Sequence, residues 1–350
     1  MAQPGAPAGS VGAGWETYRF ANASAAGIRT VSLLTLPWGV RAPLGRGVTL
    51  DVSGAYARGS LTREDGTTAT LGGLTDTQVR LARTFGRDRV TLALAGSIPT
   101  GHSRNTPGQA EVANAVSADL LPFRISNWGT GGGVGLSAAV AQRWRGFGIG
   151  ASGGYTVARS YEPFSETDGG TLAYRPGDEA RLRVAADHGV GRSSKAALQV
   201  TWQHFDTDRF GGANLYRAGD RLQAVASLQG VLGGYNAVAW GGLLHRGHGT
   251  SLDARSPGAP VQDLWLGGAG LRVPYGRAAV TWGADGRLFR VADGQGQGWY
   301  AGIGGTGEVP AGRLTLLPAA HLRLGRVVAA ADRRSAVRGV DLGLSLRRSW

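Results

Sequence analysis

The sequence predicts an all-β fold: a closed antiparallel transmembrane β-barrel of about 16 strands, with short periplasmic turns at one end and long extracellular loops at the other. Three observations carry this reading. Apolar and polar residues alternate with a period of two along most of the 350-residue chain, the pattern of strands with one greasy face. The connections alternate short and long, the habit of outer-membrane barrels. The polar phase of the strands lacks the many Lys and Glu that a soluble sheet shows to water; Lys195 is the single lysine.

Composition bounds the alternatives. Glycine supplies 60 residues with no three-residue period, which excludes collagen. Charged residues are 17% and hydrophobics 42%, so the chain is not a disordered polar tail. With no cysteine, disulfides, thiolate metal sites and cysteine nucleophiles are excluded. No apolar run reaches the ~18 residues of a membrane-spanning helix; the longest, Val31–Val40, contains Pro37. The start, Met1-Ala2-Gln3-Pro4, has no hydrophobic signal core and by itself fits either a mature N-terminus, its signal peptide removed and an initiator Met added, or the loose start of a cytosolic protein; the barrel reading of the rest favours the first. Residues 1–14 are expected to form a flexible tail, with room to enter the lumen, and residues 15–350 the barrel.

Taken in order, the first strand is Trp15–Ala21. Alternation then marks Val48/Leu50/Val52, Val90/Leu92/Leu94, Val134/Leu136/Ala138/Val140, Leu182/Val184, Leu222/Ala224/Ala226/Leu228 and Leu314/Leu316/Leu322/Leu324. Helical periodicity is confined to Gln109–Leu121. Short turns fall near Ala42–Arg46, Gly86–Asp88, Trp144–Gly146, Gly189–Ser193, Leu232–Gly234, Pro274–Gly276 and Pro310–Gly312. Longer connections fall near 59–73, 99–130, 160–177, 207–218, 247–260, 290–297 and 325–337. Seven short turns join seven hairpins, and the strands at the two ends bring the count to 16. Fourteen is the alternative if the first strand and one glycine-rich strand fail. Aromatics gather beside the short turns (Phe85, Trp144, Phe147, Tyr235, Tyr275, Trp350) and near the loops (Tyr56, Trp128, Tyr161, Trp202, Trp299), as two interfacial belts require.

The C-terminal strand carries Val340, Leu342, Leu344 and Leu346 in one phase and ends at Trp350. This resembles the assembly signal of bacterial outer-membrane barrels, which implies the barrel assembly machinery as a partner; Arg348 departs from the pattern.

The segment from Gly73 through Asp76 to Phe85, a tight turn, and Arg89 to Pro99-Thr100-Gly101 resembles the outer-membrane family labelled "MetA pathway of phenol degradation". Gly73, Asp76, Pro99, Thr100 and Gly101 carry the likeness, over about 30 residues. The resemblance implies passage of hydrophobic or aromatic compounds across the outer membrane.

Other motifs point to little chemistry. His245 and His248 are spaced for a helix, but a strand puts them on opposite faces, so no metal site is expected. His102-Ser103 has no third member nearby for a hydrolase. Gly129–Gly135 lacks the Lys-Ser/Thr of a phosphate loop. The arginines are dispersed rather than run together, against nucleic acid. No cofactor is implied.

The lumen is the informative surface. Arg80, Arg143, Arg181, Arg183, Arg221, Arg287, Arg313 and Arg323 fall on the polar phase, as do Asp51, Asp187 and Asp285. A lipid-facing arginine near the midplane costs ~2–4 kcal/mol, so these side chains are expected to line the bore and favour anions. The expected function is therefore a non-enzymatic, porin-like outer-membrane channel for small anionic or aromatic solutes, with the lipid bilayer and lipopolysaccharide as surroundings. A closed structural or adhesive barrel whose loops bind a partner is the alternative, and an outer-membrane hydrolase the third. Loop 99–130 is long enough to fold inward as a constriction.

Overall fold

Period-two patterning becomes strand nearly everywhere. The computed structural model describes residues 6–86, 88–163, 172–252, 258–292, 297–330 and 333–349. In chain order the elements are β1 (Ala8–Phe20), α1 (Ala23–Ala26), β2 (Ile28–Gly45), β3 (Val48–Arg63), β4 (Thr68–Leu74), β5 (Thr77–Phe85), β6 (Val90–Ile98), α2 (Pro107–Val116), β7 (Gly133–Trp144), β8 (Phe147–Ala158), β9 (Tyr174–Arg175), β10 (Glu179–Val190) and β11 (Ser194–Phe205). They continue with β12 (Thr207–Phe210), β13 (Ala213–Arg217), β14 (Arg221–Leu232), β15 (Tyr235–Arg246), β16 (Thr250–Ser251), β17 (Gln262–Tyr275), β18 (Ala278–Val291), β19 (Gln297–Ala311), β20 (Leu314–Ala330) and β21 (Arg333–Ser349).

Sixteen antiparallel strands close into one barrel. β1 pairs with β21, Ala8 opposite Ser349 and Phe20 opposite Val337, which seals the seam. β4 and β5 are successive halves of one barrel strand, and both pair with β3. β9, β12, β13 and β16 form a separate four-stranded sheet in the loops. There Tyr174 donates a 2.6 Å hydrogen bond to Asp208; burial first, and then that carboxylate, push its phenol well above the ordinary range. The seven tight turns lie where the sequence puts them. Arg145-Gly146 has positive φ at both positions, 48° and 88°, the conformation a two-residue hairpin turn demands.

Two expectations about the ends of strands are corrected. The first strand begins at Ala8, so residues 8–14 belong to the wall rather than to a tail. Their small side chains hide the alternation, and hydrogen bonds to both β2 and β21 hold them. Residues 59–73 and 325–337 are not long loops. β3 and β4 run up into a four-residue tip at 64–67, and β20 and β21 continue to Ala330 and Arg333.

The wall is therefore uneven. β2, β3, β20 and β21 have 18, 16, 17 and 17 residues. β7, β8, β10, β11, β14 and β15 have 12 each. Twelve residues at ~3.3 Å each give a ~40 Å strand, and a tilt of ~40° still spans a ~25 Å apolar band. Side chains on one phase form that band. Leu136 and Ile303 are each 65% exposed and Leu324 61%, with Leu182, Leu198, Leu342, Leu344 and Leu346 on the same outward face. Such an exterior, closed all round, is the surface of a barrel that sits in lipid.

The belts are confirmed with exceptions. Phe85, Trp144, Phe147, Tyr235 and Tyr275 are exposed beside the turns, and Tyr56 and Trp299 toward the loops. Trp128 is instead buried inside at 2%, because its indole N–H donates to the Ala57 carbonyl at 2.9 Å. Tyr161 lies in a loop, bridged to Tyr174. Trp350 lies outside the described residues.

Candidate functional site

Loop 99–132 leaves the wall after β6 and turns into the barrel. Thr106 caps α2, with its hydroxyl taking the Gln109 N–H while the Gln109 side chain takes the Thr106 N–H, and Pro107 occupies the first turn. The helix lies against the inner face of β2, β3 and β4. Val112, Val116 and Trp128 pack on Val31, Leu33, Ala57, Leu61 and Leu71. This explains why Val31–Val40 is the longest apolar run: Val31 and Leu33 face the helix, while Leu34, Leu36, Trp38 and Val40 face out.

Three anchors hold the loop. Its root is tied by Asp76, which is 6% exposed. One carboxylate oxygen accepts from the Gly101 N–H at 3.0 Å and the other from the Thr130 N–H and hydroxyl at 2.8 and 3.1 Å. Thr100 ties the same root through the Thr77 N–H and the Thr75 carbonyl. A Cβ at Gly101 would collide with the Trp128 carbonyl, and Gly73 packs against His102. The short motif of Gly73, Asp76, Thr100 and Gly101 thus fastens both ends of the inserted loop.

The second anchor is on β1 and β21. The Arg124 guanidinium pairs with Asp341 at 2.7 Å, and its backbone N–H donates to Glu16 at 2.9 Å. Gly14 and Gly343 leave the space in which that guanidinium lies. Arg323 joins this group, donating to the Tyr18 hydroxyl at 2.9 Å beside Asp341 at 3.6 Å. The third anchor is across the barrel, where the Asp119 carboxylate takes Arg246 at 2.9 Å and its carbonyl takes Arg287 at 2.8 Å.

The expected lumen set divides accordingly. Arg80, Arg143, Arg181, Arg183, Arg221, Arg287 and Arg323, with Asp51, Asp187 and Asp285, all lie on the inward phase of their strands. Arg313 does not: it sits in the tight turn between β19 and β20, exposed at the rim, because the strand starts one residue later than the alternation suggests. Arg287 and Arg323 are committed to the loop and the seam. Arg221 stacks over Phe205, 4.8 Å from the ring centroid, and its register partner is Arg246.

The opposite half of the interior is open. A cavity of about 460 Å³ is bounded by Arg80, Ser137, Ser152, Thr156, Glu179, Arg181 and Arg183. Nearer the turns a cavity of about 700 Å³ is bounded by Arg143, Asp187, Gln199 and Ser227. On the inward phase of β5–β8, β10, β11 and β14 the cations are Arg80, Arg143, Arg181, Arg183, Lys195 and Arg221, and the carboxylates only Glu179 and Asp187. Arg181 pairs with Glu179 at 2.7 Å, Lys195 with Asp187 at 3.0 Å, and Arg80 with Asp51 of β3 at 3.5 Å. Arg183 contacts Thr201 at 3.3 Å. Among the described residues, neither Arg183 nor Arg143 has a carboxylate partner. Glu16, Asp119, Arg124, Glu179, Lys195 and Asp341 were not singled out from the sequence. Strand phase was a signal for Glu16, Glu179, Lys195 and Asp341; nothing local marked Asp119 or Arg124.

No family model and no curated protein matches the chain. Solved structures match over nearly its full length. OprB from Pseudomonas putida, at high pH, aligns at 10% identity over 99% of this chain and 94% of its own, with a TM-score of 0.52. A bacterial polysaccharide outer membrane secretin aligns at 9% identity over 98% of both chains, at 0.50. CdiB from Acinetobacter baumannii aligns at 9% over 96% of this chain and 60% of its own, at 0.51. At such identities the likeness is one of fold, that of bacterial outer-membrane barrels.

Proposed function

We propose that the protein is a passive outer-membrane channel for small anionic solutes. The observation that carries the proposal is the one-sided interior. The inserted loop fills the half beside β1–β4 and β18–β21, and the remaining half presents more guanidinium than carboxylate. In a narrow bore with low-dielectric walls, that excess concentrates anions and repels cations. The barrel's similarity to OprB and to an outer-membrane secretin supports a conducting role for the fold. The inward phase of the open half includes the aromatics Phe205 and Trp240, but its cations outnumber them, so anionic solutes are favoured over the aromatic compounds that the Gly73–Gly101 resemblance implies. Leu342, Leu344 and Leu346 face outward on β21 where it closes on β1, which supports that strand's reading as the signal taken by the assembly machinery.

A second reading has one specific observation behind it. The loops build their own four-stranded sheet, a firm platform on which a partner can dock. Planar-bilayer recording separates the two. The channel reading predicts stepwise insertion with ohmic unitary currents; a folded, bilayer-inserted protein that carries no current would leave the loop platform as the function.

A further inference from the structure

We propose that the outer face of the tall wall holds a phosphate-binding site for the phosphorylated glycolipid of the outer leaflet, lipopolysaccharide. This deepens the reading above and rests on the loop end of the barrel facing that leaflet. Arg19 on β1 stands directly opposite Arg338 on β21. Arg326 on β20 is opposite Ala336, which sets it diagonally between Arg334 and Arg338. All four are exposed, whereas Tyr18, Ser335 and Val337 between them are buried on the inner phase. Directly opposed side chains start about 5 Å apart and diagonal ones about 7–8 Å, so the guanidiniums form one cluster near the loop end of the strands.

Among the described residues nothing neutralises it. The outward phases of β1, β2, β19, β20 and β21 carry no Asp or Glu. Among the described residues none of the four makes an ion pair or hydrogen bond to a protein group. The inward Arg323, one strand position class away, shows the contrast, with Asp341 and Tyr18 both in reach. Opposed like charges destabilise a strand pair, so an anion supplied from outside stabilises this arrangement. Guanidinium forks match phosphate oxygens bidentately.

The surface below the cluster says what the anion is attached to. Leu322, Leu324 and Leu342 are exposed there, flanked by Trp15 and Trp299, and Trp299 is the direct register partner of Arg326. A ligand with phosphate at one end and several acyl chains beneath fits both halves; a free inorganic anion uses only the first.

The test is a native mass-spectrometric titration of the detergent-purified protein with diphosphorylated lipid A, dephosphorylated lipid A and inorganic phosphate. The wild type should bind the diphosphorylated lipid at least tenfold more tightly than the dephosphorylated one. The Arg19→Gln/Arg326→Gln/Arg334→Gln/Arg338→Gln variant should lose that tenfold preference while still conducting in bilayers. Equal wild-type affinity for the two lipids, a comparison that needs no variant, overturns the site, as does a preference that survives the four changes. Inorganic phosphate binding as tightly as the diphosphorylated lipid also overturns it, in favour of a free-anion site. Current recorded from the same samples keeps the two readings apart. A wild-type barrel that conducts but does not discriminate between the two lipids removes only the site, and a wild-type barrel that discriminates but carries no current removes only the channel.

Discussion

The two sides of this barrel use the same strand alternation for opposite ends. On the tall side, β2–β4 and β20–β21 turn apolar or paired residues inward: Val31, Leu33, Leu61 and Leu71 against α2, and Asp341 against Arg124 and Arg323. On the low side, β7, β8, β10, β11 and β14 turn inward Ser, Thr, Gln, Gly and arginine around open space. Inward residues that are apolar build a support, and inward residues that are polar build a path. Strand length follows, because the side that carries the loop needs extra height to bury it.

That contrast is breakable. The largest expected effect is at Trp128, the biggest fully buried side chain among the described residues. Trp128→Ala removes its packing on β3 and leaves the Ala57 carbonyl without its donor, at a cost of about 3–5 kcal/mol. The loop should leave its berth, so unitary current should rise and become noisy while the barrel keeps its fold. A current from Trp128→Ala as quiet and as small as that of the wild type would show that the loop is not held by this core.

Asp76→Ala should have a smaller effect of the same kind. It removes the carboxylate that ties both roots of the loop, about 1.5–3 kcal/mol for hydrogen bonds to a charged group. Rapid transitions between two conductance levels are expected in single-channel records, with the mean current close to wild type.

The smallest change should come from the low side. Arg181→Ser/Arg183→Ser removes the cation paired with Glu179, which keeps the Gln203 amide as a donor, and removes the unpaired charge beside Thr201. The anion-over-cation permeability ratio, read from the reversal potential under a salt gradient, should fall roughly two- to threefold with little change in stability. An unchanged ratio would make these arginines structural.

Much of the wall was legible in the sequence because lipid imposes a period of two on every strand it touches. Leu182 and Val184 could face only outward, and Arg181 and Arg183 therefore only inward. The interior was less legible because it obeys tertiary packing. Val31 and Leu33 read as part of one apolar run, and only α2 shows that its two phases meet different surroundings. Residues 8–14 lacked large side chains and so lacked a visible phase, although β2 and β21 hold them firmly. The inward arginines were found by phase, but their neutralisation was not. Glu179 shares Arg181's face two residues away and was readable. Asp119 and Arg124 reach Arg246 and Asp341 only because the loop crosses the barrel.

The absence of cysteine permits the most direct test of the path. Ser152→Cys lies on the open half among Arg181 and Arg183, and Ala69→Cys lies behind α2 at 8% exposure. A charged methanethiosulfonate added during bilayer recording should cut the unitary current of the Ser152→Cys channel and leave that of Ala69→Cys unchanged. Current lost at Ala69→Cys and not at Ser152→Cys would put the solute path on the wrong side of the barrel and contradict the account.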